Sequence, residues 1–240
     1  RSLAVSLVSL GGGVAPMVIT PLATVLIEMQ GWRNAMMLTA VVATAIIVPA
    51  AFLIRRAPAA ATQSAAGETP EAGAGSAMAS IAGVMRKPQF IVLAAVFFLC
   101  CAAHSGPIFH TVSYAMLCGA SALAAASIYS VEGLAGLFGR VIFGVLGDRL
   151  GVKRVIVGGL VLQAVGIYTY IYVSELNQFY MLAVVLGLAY GGVMPLYAVL
   201  ARDYFGPHVM GTVLGGATMV SAIGMAFGPV GGGWLYDNFG

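Results

Sequence analysis

Residues 88–131 read PQFIVLAAVFFLCCAAHSGPIFHTVSYAMLCGASALAAASIYSV, 44 positions without one Asp, Glu, Lys or Arg. A helix crossing the hydrocarbon of a bilayer takes about 20 mostly apolar residues. The run is therefore enough for two crossings, and Cys118-Gly119-Ala120-Ser121 marks the break between them. Further charge-free runs lie at 2–27, 34–54, 155–174, 176–201 and 204–236. Together they predict seven spans, at about 3–27, 34–54, 89–117, 121–146, 153–173, 178–201 and 209–235. Composition agrees: 60% of the 240 residues are hydrophobic, 8% are charged, and the mean hydropathy is +0.98. A soluble domain carries about 25% charged residues, so a water-solvated surface is excluded. The 32 glycines follow no Gly-X-Y period, which excludes collagen. Each run is too long for a barrel strand and lacks sustained alternation. The predicted class is an all-α membrane protein.

Basic residues orient the bundle, because cytoplasmic loops hold an excess of Lys and Arg. With the N-terminus inside, nine of the eleven cations fall on the inner side: Arg1, Arg55, Arg56, Arg86, Lys87, Arg149, Lys153, Arg154 and Arg202. Arg33 falls outside and Arg140 within a span. The first span has no small-residue cleavage site behind a short apolar core, so a signal peptide does not fit. Residues 57–80 hold almost no large apolar side chain and cannot offset their ordering entropy by burial. A cytoplasmic linker over 55–87 is expected, with two spans in 1–54 and five in 88–240. Cys100, Cys101 and Cys118 form no CxxC or Cys/His metal spacing and read as small apolar fillers.

Two features point to a family. Gly11-Gly12-Gly13-Val14-Ala15-Pro16 is echoed by Gly224-Met225-Ala226-Phe227-Gly228-Pro229, in spans of the same direction, as duplicated halves would produce. Close packing of small residues explains each motif locally as well. Between the fourth and fifth spans stands Gly144-Val-Leu-Gly147-Asp148-Arg149-Leu-Gly151-Val-Lys153-Arg154. Its glycines suit a tight turn, Asp148 can accept hydrogen bonds from a helix N-terminus, and its cations hold the loop inside. This pattern resembles the signature loop of the major facilitator superfamily. Gly31-Trp32-Arg33, Ile108-Phe109-His110, Gly139-Arg140 and Asp203-Tyr204-Phe205-Gly206 are similar to its monocarboxylate-transporter-like, oxalate/formate-antiporter-like branch. The resemblance implies a partial two-lobed bundle corresponding to spans five to eleven of twelve, with the remaining helices of the same polypeptide absent from this stretch. It also implies a gating role for Gly144, Asp148, Arg149, Gly151 and Arg154.

Arg140 is the residue that bears most on function. At mid-membrane an arginine costs at least about 3 kcal/mol unless it faces a cavity or a partner. Its planar fork suits a carboxylate. Glu132 and Gly136 precede it by two turns and one, on one broad face, and eight residues separate the two charges by about 12 Å. The resemblance implies that an arginine here binds the substrate carboxylate. The family often places a carboxylate or amide where this chain has Gly136. Burial disfavours an ionised carboxylate, so Glu132 is a candidate proton carrier, together with His110. Pro107 removes one backbone bond and kinks the third span, and broken backbone in a transporter tends to line a cavity. His110, Tyr190 and Tyr114 are candidate substrate contacts; core packing explains the two tyrosines equally well. His104 reads as packed or snorkelling, and His208 as solvated.

No phosphate-binding Gly-x-x-x-x-Gly-Lys-Ser/Thr loop, intramembrane-protease pattern or metal cluster occurs, so no enzyme, cofactor or metal is predicted. The net charge of +3 is the topology signal and does not indicate nucleic acid. The expected partners are a small carboxylate, protons and the lipid bilayer, and the expected location is a cell membrane of the bacterial inner-membrane kind. Proton symport of a monocarboxylate, organic-anion exchange and a non-transporting fragment are the readings in play. A seven-span receptor would need the opposite orientation, and a retinal protein a lysine in the last span, where none occurs.

Overall fold

The structure, a computed structural model, describes residues 2–53, 83–206 and 209–239, with the side chains at 11–13, 15 and 16 left out. Most of the expected linker, with Arg55 and Arg56, lies outside the described residues, as do Arg1 and His208. The described residues form α1 (Ser2–Val8), α2 (Gly11–Phe52), α3 (Pro88–Leu117), α4 (Ala122–Leu150), α5 (Val152–Thr169), α6 (Leu176–Phe205) and α7 (Met210–Phe239). A 3-10 turn, Tyr170–Tyr172, extends α5.

Among the described residues, six helices are long and apolar enough to cross a membrane. The first of these stretches, Met17–Phe52, has 36 residues and would run about 54 Å if straight, well beyond a hydrocarbon core of about 30 Å. Gly31 resolves the excess: with φ 76° and ψ 160° it separates two helices that are otherwise continuous. Only glycine adopts this conformation without strain. Counting the halves of α2 separately, the helices provide the seven crossings read from the charge-free runs. Trp32 beside the break carries the Arg33 guanidinium 4.4 Å from its ring centre, a pairing suited to the membrane surface.

The α4–α5 connection is a single residue, Gly151, at φ 91°. Of the three glycines in that signature stretch, it alone has a turn conformation. Gly144 and Gly147 are helical and serve packing instead: a methyl on Gly144 would stand 2.9 Å from Ser6 Oγ and 3.0 Å from Leu3 Cα. Their missing side chains admit α1 against α4.

The most extensive pairings are α4 with α6 and α3 with α7. Both depend on backbone meeting backbone. A Cβ on Gly191 would lie 2.5 Å from Gly136 Cα, and one on Gly139 would lie 2.9 Å from Leu188 Cα. Gly224 and Gly228 of α7 face the carbonyls of Phe98 and Ala102 in the same way. Small residues are the usual means of close approach in lipid, where no hydrophobic force drives helices together. Apolar side chains pack in two clusters. One, around Phe90, Phe97, Phe143 and Tyr197, fills the half of the bundle nearer the α4–α5 turn; the other, around Ile128, Phe179 and Leu186, fills the half nearer the α3–α4 turn. Cys100 and Cys101 are buried, and Cys100 exchanges hydrogen bonds with Gln163, whereas Cys118 at the end of α3 is exposed and fills no core.

Candidate functional site

Gly136 is the central residue of α4, and Tyr190 with Gly191 is the central pair of α6. At this half-height, between the two apolar clusters, the helices line an open-sided cavity of about 170 Å³. Helix α4 contributes Tyr129, Glu132, Gly133, Gly136 and Arg140; α3 contributes His104 and Ile108; α6 contributes Gly187, Tyr190 and Gly191. Four of these residues are glycines, and Gly187 and Gly191 let the backbones of α6 and α4 touch beside the cavity. A Cβ on Gly136 itself would sit 3.9 Å from Arg140 Nη1, in ordinary contact.

Arg140 reaches the cavity as a half-buried guanidinium whose Nε and Nη1 are fully buried without a hydrogen-bond partner. Among the described residues, no carboxylate comes within ion-pair distance of it. A buried donor left unpaired costs roughly 1–3 kcal/mol, more for a charged group. Arg140 therefore keeps hydrogen-bonding capacity that the described residues do not use.

Glu132 is engaged elsewhere. Its Oε1 lies 3.1 Å from Nε2 of His104, and His104 is only 1% exposed. The oxygen sits off the N–H axis, so Nε2 and Nδ1 both lack an aligned hydrogen bond. The Tyr190 ring stacks on the imidazole at 3.8 Å and 10°, and its hydroxyl stands 4.0 Å from Cys101 Sγ. The site is thus a guanidinium on one side and a carboxylate–imidazole–phenol stack on the other.

Among the candidates read from sequence, the structure brings together Arg140, Glu132 and Tyr190. It separates the other two. His110 is exposed, with Nε2 3.3 Å from the Pro229 carbonyl on α7. Tyr114 donates to the Val173 carbonyl at 2.8 Å, beside the aromatic rings of Tyr170 and Phe179. The reason is helical phase. On α3 the cavity takes positions 104 and 108, one turn apart, and a helix turns about 100° per residue. Position 110 then lies about 240° round from position 104. His104, which reads from sequence as a packing residue, is buried as that reading allows, but inside the site. Its i+28 partner Glu132 is on another helix, so no spacing rule reveals the pair.

At the C-terminal end of α4, Asp148 accepts from the backbone N–H of Ser2 at 2.9 Å and of Leu3 at 3.2 Å. The contact ties α1 to the end of α4. Arg149, Gly151 and Arg154 flank this contact on the exposed surface.

The sequence pattern of the Major Facilitator Superfamily matches residues 1–147 and again 119–240, so the two matches together take in the whole chain. The chain belongs to the major facilitator superfamily. Within this superfamily it is similar to "Monocarboxylate transporter 12-B" of Danio rerio, with 25% identity across 100% of the chain and 56% of the relative. It is 27% identical to the "Uncharacterized MFS-type transporter YhjX" of Escherichia coli (strain K12), over 76% of the chain and 44% of that protein. With "Monocarboxylate transporter 12" of Xenopus laevis it shares 29% identity over 64% of the chain and 34% of the relative. The chain thus spans between about a third and just over half the length of these superfamily members. As a superfamily member with apolar crossing helices, it is a multi-pass membrane protein.

Proposed function

We propose that this chain contributes the substrate half-site of a secondary transporter for small organic monoanions, with a proton moving alongside. One observation carries the reading: two buried, unpartnered nitrogens of Arg140 face a small cavity at mid-helix. Guanidinium recognises carboxylate through paired, charge-assisted hydrogen bonds. When His104 is protonated it matches Glu132, and the described residues then offer one unmatched cation, which favours a monocarboxylate over a dicarboxylate. Two of the similar proteins carry the name monocarboxylate transporter, which agrees. Tyr190 orients the imidazole and forms part of the wall. Residues 1–54 form the end of one lobe, 55–87 the cytoplasmic linker and 88–240 most of the second lobe. Asp148 and its neighbours Gly144, Arg149, Gly151 and Arg154 form an inner gate that latches α1 when the lobes close.

The test is uptake of labelled lactate, formate and oxalate by proteoliposomes holding the intact polypeptide in which this sequence occurs. Lactate and formate are expected to accumulate when the outside is made acidic, and oxalate to be taken up weakly. Exchange of anion for anion with no response to a pH gradient would make the protein an exchanger. No uptake of any of the three would remove the reading.

Orientation has its own test. In a variant of the intact polypeptide lacking every native cysteine, Cys100, Cys101 and Cys118 included, a cysteine at Gln178 is expected to react with an impermeant thiol reagent on intact cells. Cysteines placed at 57–80 should react only after the membrane is opened. The reverse pattern would invert the topology.

A further inference from the structure

We infer that His104 takes the proton in this cavity, with Glu132 as its fixed counter-charge, so that protonation changes the charge of the site from zero to +1. The inference rests on the reading above, in which Arg140 receives the carboxylate, and names the residue that makes such binding proton-dependent.

The argument begins with the unmade hydrogen bonds. A buried histidine with a purely structural role normally has its ring nitrogens satisfied. His104 is 1% exposed, lines the cavity, and has neither nitrogen in an aligned hydrogen bond. What surrounds it favours a cation. The Glu132 carboxylate is 3.1 Å away, and the Tyr190 ring face stacks at 3.8 Å, where an imidazolium is attracted by the π-electrons. The other groups that face it do not compensate. Tyr129 and Arg140 come from α4, and Cys101 stands behind the Tyr190 hydroxyl. Helix α7, packed on α3, has no charged residue from Met210 to Tyr236, and α1 has none at all. The charges of α5 are Lys153 and Arg154 at its inner end, and those of α2 are Glu28 and Arg33 beside the Gly31 break.

Phenol and thiol are neutral at neutral pH, which leaves three groups to count among the described residues. With neutral imidazole, Arg140 and Glu132 cancel and an anion gains little by entering. With imidazolium, Glu132 is matched by His104, and Arg140 is left as a net positive charge for the ligand. Anion and proton therefore each strengthen the binding of the other, as linkage requires. Imidazole is the side chain whose charge ordinarily changes between pH 5 and 8, the range in which such coupling is useful.

The experiment uses the intact polypeptide in proteoliposomes, with labelled lactate as probe. Exchange is measured at equal pH on both sides, and accumulation under an imposed pH gradient. In the wild type, apparent affinity in exchange should fall about tenfold per pH unit on the alkaline side, one proton per anion. His104→Gln should exchange weakly at every pH and accumulate nothing. Glu132→Gln should make exchange independent of pH and also abolish accumulation, since Arg140 is then uncancelled without a proton. The double variant His104→Gln/Glu132→Gln should regain the exchange that His104→Gln lost, because its cavity is again +1. A packing role for His104 predicts no such rescue. If His104→Gln does not fold, the imidazole is followed directly by nitrogen NMR in a variant of the intact polypeptide from which every other histidine, His110 and His208 included, has been replaced by glutamine. Its resonance should titrate, and added lactate should move the midpoint to higher pH. Retained pH-driven accumulation in His104→Gln, absence of rescue in a folded double variant, or a midpoint unmoved by lactate would each overturn the inference. Failure of the Arg140 reading looks different: Arg140→Lys would then exchange normally while His104 still titrates.

Discussion

Arg140→Lys is expected to reduce both lactate exchange and pH-driven accumulation by at least tenfold, and by up to about a hundredfold, while the protein still reaches the membrane folded. The charge survives in this variant, so long-range attraction of the anion changes little. What is lost is geometry. The guanidinium presents donors in a rigid plane that matches both oxygens of a carboxylate, whereas the ammonium is a compact point charge on a flexible stem. Hydrogen bonds to charged groups contribute about 1.5–3 kcal/mol, and each 1.4 kcal/mol is a factor of ten. The fold is expected to tolerate the change because, among the described residues, Arg140 is bound to no carboxylate whose burial depends on it. Uptake kinetics beside a size-exclusion profile separate the outcomes. Wild-type uptake would exclude Arg140 as the clamp. A misfolded variant would assign it to structure.

The second large effect is expected from one methyl group. Gly139→Ala should lower the unfolding temperature and the yield of folded protein strongly, whereas Gly136→Ala, one turn away, should leave both near the wild-type level. A Cβ at position 139 meets the Leu188 main chain, 2.9 Å from its Cα and 3.0 Å from its carbonyl carbon, and backbone has no alternative rotamer. Helices α4 and α6 would have to separate along their most extensive contact. Overpacking of this kind costs typically 1–3 kcal/mol and occasionally more. At position 136 the nearest atom outside the local helix, the Gly187 carbonyl oxygen, is 3.5 Å away, an ordinary contact. Thermal denaturation in detergent, read by fluorescence-detected size exclusion, measures both. Equal melting of the two variants would show that the α4–α6 contact is looser than the structure has it.

Much of the architecture is legible in where charges do not occur. Hydrocarbon excludes ionised side chains over a fixed thickness, so a run such as 88–131 limits its own structure to helices and counts them. The break at Gly119 and the turn at Gly151 are readable for a similar local reason. Both take positive φ, which glycine adopts freely. The division of α2 is legible in the charges Glu28 and Arg33, which separate two apolar runs on either side of Gly31. Arg140 stands out because an arginine in the middle of a membrane helix demands an explanation.

The membership of the cavity follows a different logic. Glu132 and Arg140 share a helix, and helical phase alone puts them on one face. His104 lies 28 positions earlier on another helix, and His110 is the better candidate by sequence on that same helix. Which of the two faces α4 depends on the rotation of α3 about its axis. That rotation is set by Gly224 and Gly228 of α7, which let the Phe98 and Ala102 carbonyls approach closely. The same holds for Gly144 and Gly147, which read as turn glycines and prove to be the surface on which α1 rests. The sequence by itself therefore determined the solvent, the helices and the buried charge, since each follows from the cost of transferring a local segment into lipid. Only the tertiary structure decided that His104, and not His110, meets Glu132. Side-chain pairing between helices depends on backbone approach at residues with no side chain, and such contacts leave no periodic mark in the chain.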